Sequence, residues 1–341
     1  MQVPCGPCVP HPRIRPDAGD LIHAAPAPPA LCSAAMEHAA EGSPTEHRSR
    51  ARPSSEFWVR VLEALLAYAL LLPSLVIFAV FAYYPLAQLV RYGLYRPNRF
   101  GNGEVYVGPA NFTKVLGGEE FRSALWITVK YILYTVPPGL VLGIALALAA
   151  NRKLRGIKIF QTIFSSTIAS SAAVSAVVFF SLVNPKVGRF GDVSWLSLSK
   201  GSSALFGVSL SSTWQNLGLT FVIVLAALQS VPDEVLEAAR LDGFGPMRRV
   251  FRVILPLISP ALLFLMVVLM VGAFQTFAQI ELLTSGGPAA STETLVFKIF
   301  QRRSPGRISE GAVMSLGLFG LTFVVTMLQI GILNRRVHYG D

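Results

Sequence analysis

Charge is scarce in this 341-residue chain: 14% of its residues are charged against 52% hydrophobic, and its mean hydropathy is +0.54. Soluble domains carry about a quarter of their residues charged, so this composition excludes an ordinary soluble protein and places the chain in a bilayer. Cysteine is nearly missing. Cys5, Cys8 and Cys32 all precede the apolar part, so no disulfide can staple it. Histidine is confined to the two ends (His11, His23, His38, His47 and His338), which leaves the apolar body without a nucleophile, base and orienting group and speaks against an intramembrane enzyme. No G-x-x-x-x-G-K-[ST] phosphate loop occurs, so the chain does not hold ATP in the P-loop manner, and any ATP-derived work comes from a separate protein. The net charge of +10 does not point to nucleic acid, because Lys and Arg are scattered through short segments between apolar runs and form no continuous patch.

Residues 1–55 are rich in Pro, Ala, Ser, Arg and His without sustained periodicity, and read as a disordered cytoplasmic tail. The start lacks the apolar core of a secretory signal, and Met36 offers an alternative first residue that would remove all three cysteines. Cys5-Gly6-Pro7-Cys8 superficially resembles a thioredoxin active site, but no βαβ pattern surrounds it and no further Cys/His cluster completes a metal site.

Six apolar runs follow, at about 65–90, 123–150, 159–183, 211–231, 257–282 and 312–333, each long enough to cross a bilayer as a helix. The expected architecture is an all-α integral membrane protein with six transmembrane helices. The first run ends with Tyr83 and Tyr84, suited to an interface. The second carries Lys130 and the kinking pair Pro137-Pro138, and the third a stretch of small residues (SSTIASSAAVSAVV) that permits close helix packing. Residues 184–210 read as a polar loop. With the N-terminus, the 151–158 loop, the 233–256 loop and the C-terminus inside, Lys and Arg are about twice as dense on the inner as on the outer side. Both termini are therefore expected in the cytoplasm, with 337–341 as a short tail.

The 29 residues from Pro232 to Pro260, PDEVLEAARLDGFGPMRRVFRVILPLISP, are a polar island between two apolar runs. Pro232 disfavours continuation of the preceding helix, Asp233 is expected to cap a new one, and that helix should cover Glu234 to Leu241. Gly243 suits a left-handed residue closing it, and Gly245-Pro246 suits a restart with Pro246 in the first helical position. In the second helix Met247, Val250, Phe251 and Ile254 share one side and Arg248, Arg249 and Arg252 the other, an amphipathic pattern suited to a membrane surface.

Glu237-Ala238-Ala239, then Gly243, then Leu255-Pro256 resembles the EAA loop of permease subunits in binding-protein-dependent ABC importers. Val253 and Phe244 depart from that pattern, where isoleucine and alanine are usual, without removing a polar contact. The resemblance implies a type I importer permease domain over about residues 60–336, with a coupling loop at 232–260 that docks on a separate ATPase through Glu237, Ala238, Ala239, Asp242 and Gly243. Small alanines let a helix press into a groove, a carboxylate finds donors across the contact, and glycine permits a sharp exit. Trp214-Gln215-Asn216 and Leu228-Gln229-Ser230-Val231-Pro232 also look like that family's pattern, and Val107-Gly108-Pro109-Ala110-Asn111-Phe112 and the loop with Thr284-Ser285-Gly286-Gly287-Pro288 and Thr292-Glu293-Thr294-Leu295 resemble its carbohydrate-importing branch. The implied partners are a second permease subunit, two ATPase subunits, an extracytoplasmic solute-binding protein and membrane lipid, with ATP and magnesium on the ATPase and no cofactor or metal on this chain. The cargo it implies is a sugar or related polyol, or alternatively sn-glycerol-3-phosphate. An ion-coupled secondary transporter is the competing class, and it would show intramembrane acids or broken helices in matching halves.

Polar side chains inside spans mark either a pathway or an interhelical bond. Lys130, Asn216, Gln275, Gln279 and Glu281 are the candidates. Gln275 and Gln279, four apart on an expected fifth helix, would share a face, and with Asn216 they form the proposed substrate path, since amides suit sugar hydroxyls. The same amides also suit plain bonds to a neighbouring helix, and Lys130 and Glu281 suit snorkelling to an interface.

Overall fold

The computed structural model describes residues 53–98, 103–152, 155–184, 188–191 and 193–333. The cysteines, Met36, all five histidines, Asn334-Arg335-Arg336 and the 337–341 tail lie outside them. The chain divides into two units, residues 1–71 and 72–341, with the boundary inside the first helix.

That helix, α1 (Pro53–Phe78), passes through a π-helical turn (Ala79–Tyr83) into α2 (Tyr84–Leu94), so the first expected span is helical from well before residue 65. Its apolar side chains, such as Leu70, Phe78 and Phe81, are exposed in the isolated chain. Helical backbone satisfies its own polar groups, so such a surface suits lipid or another apolar helix. A short hairpin, β1 (Tyr95–Pro97) antiparallel to β2 (Glu104–Tyr106), and α3 (Ala110–Leu116) follow. Asn111, within the Val107–Phe112 motif, is buried, and its Nδ2 donates to Gly93 O (2.8 Å) and Ser309 Oγ (2.9 Å). The motif thereby joins the end of α2 to the start of the last helix.

α4 (Glu119–Ala150) and α7 (Gly201–Gln229) pack along each other and form the centre of the 72–341 unit, with Tyr131, Phe221 and Val224 fully buried. α7 starts ten residues before the expected fourth span, so the supposed 184–210 loop is helical from Gly201 onward. Its first turns, Gly201 to Leu210, hold small and apolar residues enough to be buried.

The third span is not one helix. α5 (Ile157–Ser166) and a 3₁₀ turn (Thr167–Ala169) meet α6 (Ala172–Val183) at a 107° bend, and Ser171 Oγ caps α6 by accepting from Val174 N. Serines compete with the helix ladder for backbone groups, which is why the small-residue run read as packing breaks the helix at Ser170-Ser171. Gln229 leads through Ser230-Val231-Pro232 into α8 (Asp233–Leu241), then α9 (Pro246–Arg249), a π turn (Val250–Ile254), α10 (Leu255–Leu257), a 75° bend and α11 (Ser259–Phe274). α11 stops at Gln275. A separate short helix, α12 (Ala278–Leu283), follows, so the fifth expected span is broken too. α13 (Leu295–Gln301) is anchored to α4 by Leu295 N donating to Thr128 Oγ1 (2.9 Å), and α14 (Ile308–Leu333) is the sixth span. Among the described residues, four helices are individually long and apolar enough to cross a membrane, or up to six crossings if each bent pair counts as one.

Candidate functional site

Both helix breaks open onto one cavity of about 380 Å³, halfway along α4 and α7. Its lining includes Tyr131, Ser212, Gln215, Asn216, Gln275, Thr276 and Gln279, with Ala172 at the start of α6, and no lining residue carries a charge. The lining is cross-bonded. Thr276 Oγ1 donates to Tyr131 Oη (3.1 Å), Tyr131 Oη donates to Ser212 Oγ (2.6 Å), and Gln279 Nε2 donates to Gln215 Oε1 (2.7 Å). Gln215 Nε2 reaches Ser170 O (3.4 Å), at the break in the third span. The amide thereby gives a donor to a carbonyl that the break frees from the helix ladder.

The structure brings Asn216, Gln275 and Gln279 together on this cavity. It does so by a different route from the shared helix face, because α11 ends at Phe274 and the backbone leaves helical geometry before α12. Gln275 is exposed and Gln279 is buried. Lys130 and Glu281 are not part of the lining; Lys130 Nζ lies 5.3 Å from the Trp126 ring centroid, a cation–π contact. Sequence reasoning missed Tyr131, Ser212, Gln215 and Thr276 as cavity residues. A tyrosine in mid-span, away from either interface, was the available signal.

The second candidate region is the loop between α7 and α11. α8 starts at Asp233 with Pro232 in the cap position, so Asp233 stands in the first turn and is not the cap. A carboxylate there still complements the helix dipole. Gly243 has φ of +74°, its N–H donates to Arg240 O and Phe244 N–H donates to Ala239 O, which is the Schellman closure that favours glycine at this point. Glu237, Ala238, Asp242 and Gly243 are exposed, while Ala239 is buried. Leu241 is 90% exposed and Met247 71% exposed, beside Arg248 stacked 4.6 Å from the Phe244 ring. The loop thus carries two bare apolar side chains close in sequence to the exposed acids.

The family model for the binding-protein-dependent transport system inner membrane component matches residues 139–339, a stretch that includes the α7 part of the cavity, both helix breaks and the loop helix. The sn-glycerol-3-phosphate transport system permease protein UgpA of Yersinia pestis is 35% identical over 282 residues, covering 80% of this chain and 96% of the relative. The Salmonella typhimurium protein of the same name is 34% identical over 283 residues with the same coverage. Among solved structures, a bacterial alginate ABC transporter in complex with an alginate pentasaccharide-bound periplasmic protein has a chain 22% identical. It matches with a TM-score of 0.70 over 83% of this chain and 99% of that one, so the fold is shared. By family match and by relatives, the chain belongs to the binding-protein-dependent transport system inner membrane components, the multi-pass permease subunits of ABC transporters.

Proposed function

We propose that this chain forms part of the substrate path of an ATP-driven importer for a sugar or related polyol. Its partners in this reading are a second permease subunit, two ATPase subunits that hold ATP and magnesium, and an extracytoplasmic solute-binding protein. The chain itself binds no cofactor. Both termini and the α8 loop face the cytoplasm, consistent with the density of Lys and Arg there. α8, through Glu237, Ala238, Asp242 and Gly243, docks on the ATPase and passes its closure to α7 and α11, which flank the loop; Ala239, buried within this chain, is not part of that contact.

The observation that carries the sugar reading is the uncharged lining of the cavity, made of amides and hydroxyls. Such groups give and accept hydrogen bonds to a polyol's hydroxyls. A phosphate dianion moved out of water is best met by cationic partners, and the lining of this chain's cavity includes none. The glycerol-3-phosphate permeases among the relatives favour the second reading, in which a phosphorylated cargo finds its cation on the other permease subunit. Assembled importer in proteoliposomes, offered a neutral oligosaccharide and sn-glycerol-3-phosphate in turn, separates them. Uptake of the neutral solute alone supports the sugar reading; uptake of the phosphate alone replaces it with the second.

A further inference from the structure

Both broken spans are tied to one side chain. Gln215, on α7, donates to Ser170 O at the break in the third span and accepts from Gln279, just past the break in the fifth. The two amides therefore spend on each other a donor and an acceptor that a hydroxyl in the cavity would use. Gln279 is 6% exposed and both line the cavity, so a solute can engage them fully only by exchanging that bond. The two residues sit on the elements that flank the loop helix. α7 runs from Gln215 to Gln229, three residues before α8, and the chain after α8 runs through α11 to the break before Gln279. α7 carries displacement from its α8 end to Gln215 as one rigid helix, whereas on the other side a 75° bend and the break at Gln275–Phe277 lie between α8 and Gln279, so movement of α8 shifts one partner of the pair against the other.

We propose that Gln215 and Gln279 form a latch across the cavity, made at rest and broken during each transport cycle, whose freed amides then hold the solute's hydroxyls. The proposal rests on the importer reading above. A merely structural bond between helices would persist through the cycle.

A zinc clamp distinguishes the two. Two histidines in place of the glutamines put imidazoles within reach of a single zinc ion. The complete importer, with its ATPase and binding protein, carries Gln215→His together with Gln279→His. Micromolar zinc should lower ATP hydrolysis stimulated by the binding protein at least about fivefold, the low end of coupling through a two-state element, and EDTA should restore it. Neither single histidine variant should respond to zinc. In a second variant, Gln279→Leu, hydrolysis without the binding protein should rise severalfold, because the resting state has lost its lock. The latch is overturned if the double variant binds zinc at the pair and keeps its rate, if it binds none there, or if the leucine variant leaves the unstimulated rate unchanged. Absence of ATP hydrolysis in the unsubstituted complex would be a different failure, removing the importer reading and the latch with it.

Discussion

A Cβ atom built on Gly218 would stand 2.5 Å from the backbone nitrogen of Ile168 and 2.4 Å from Thr167 Oγ1. Only the absence of a side chain lets α7 press against the 3₁₀ turn that ends the first half of the third span. The obstacle is largely backbone and cannot swing aside. Gly218→Ala is expected to cost about 1–3 kcal/mol through overpacking, seen as a lower thermal midpoint in detergent. Gly320→Ala, in α14 with nothing within 4 Å of the added atom, is the control; it should not lower the midpoint, and the helix propensity of alanine favours a small rise.

Asn111 makes a second prediction. Its buried amide bonds Gly93 O and Ser309 Oγ, joining α2, α3 and α14. Asn111→Ala leaves a buried carbonyl short of a donor, so about 1–3 kcal/mol should be lost. The check is thermal unfolding of the purified chain, with Asn111→Asp as a stricter variant, since it adds an unpaired charge at the same place.

Much of this was legible in the sequence, and the misreadings have physical causes. The α8 loop was readable because proline and glycine act locally: Pro232, Gly243 and Pro246 each set their own backbone and stand where their chemistry requires. The breaks at Ser170-Ser171 and Gln275–Phe277 were not readable, since hydropathy averages over a window and neither site contains glycine or proline. Likewise the α7 start at Gly201 was hidden, because its small residues are buried by tertiary packing and read as polar in isolation. The i, i+4 spacing of Gln275 and Gln279 suggests one helical face, but the two meet on the cavity through the break itself. Gln215 was noticed only as part of a motif, because its partner lies 64 residues away.

An asymmetric ion cluster gives a third prediction. Arg302, with its side chain 3% exposed, pairs with Glu120, which is 64% exposed, and its Nε lies 3.5 Å from Glu310 Oε2. Arg302 Nη1 also donates to Lys298 O at 3.4 Å. Removing the exposed partner leaves water to take its place, so Glu120→Ala should cost under about 1 kcal/mol. Removing the buried one loses both pairs and opens a gap, although Glu310 keeps Arg96 at 3.2 Å, and Arg302→Ala should cost about 1–3 kcal/mol. Equal midpoints for the two variants would refute the asymmetry.

The most direct test of the coupling account concerns Gly243. At φ of +74° a β-branched residue is strained, yet a Cβ added there meets nothing within 4 Å in this chain, so Gly243→Val acts through the backbone of the loop exit. The measurement is a pull-down in detergent of the tagged chain from its native host, wild type beside Gly243→Val, with every co-purifying protein identified. An ATPase and a second permease should accompany wild type, and the ATPase should fall away in the variant while the second permease stays. Full retention of the ATPase by a variant whose loop is altered would contradict α8 as the docking element, and wild type purifying without any ATPase while still transporting would contradict the importer reading itself.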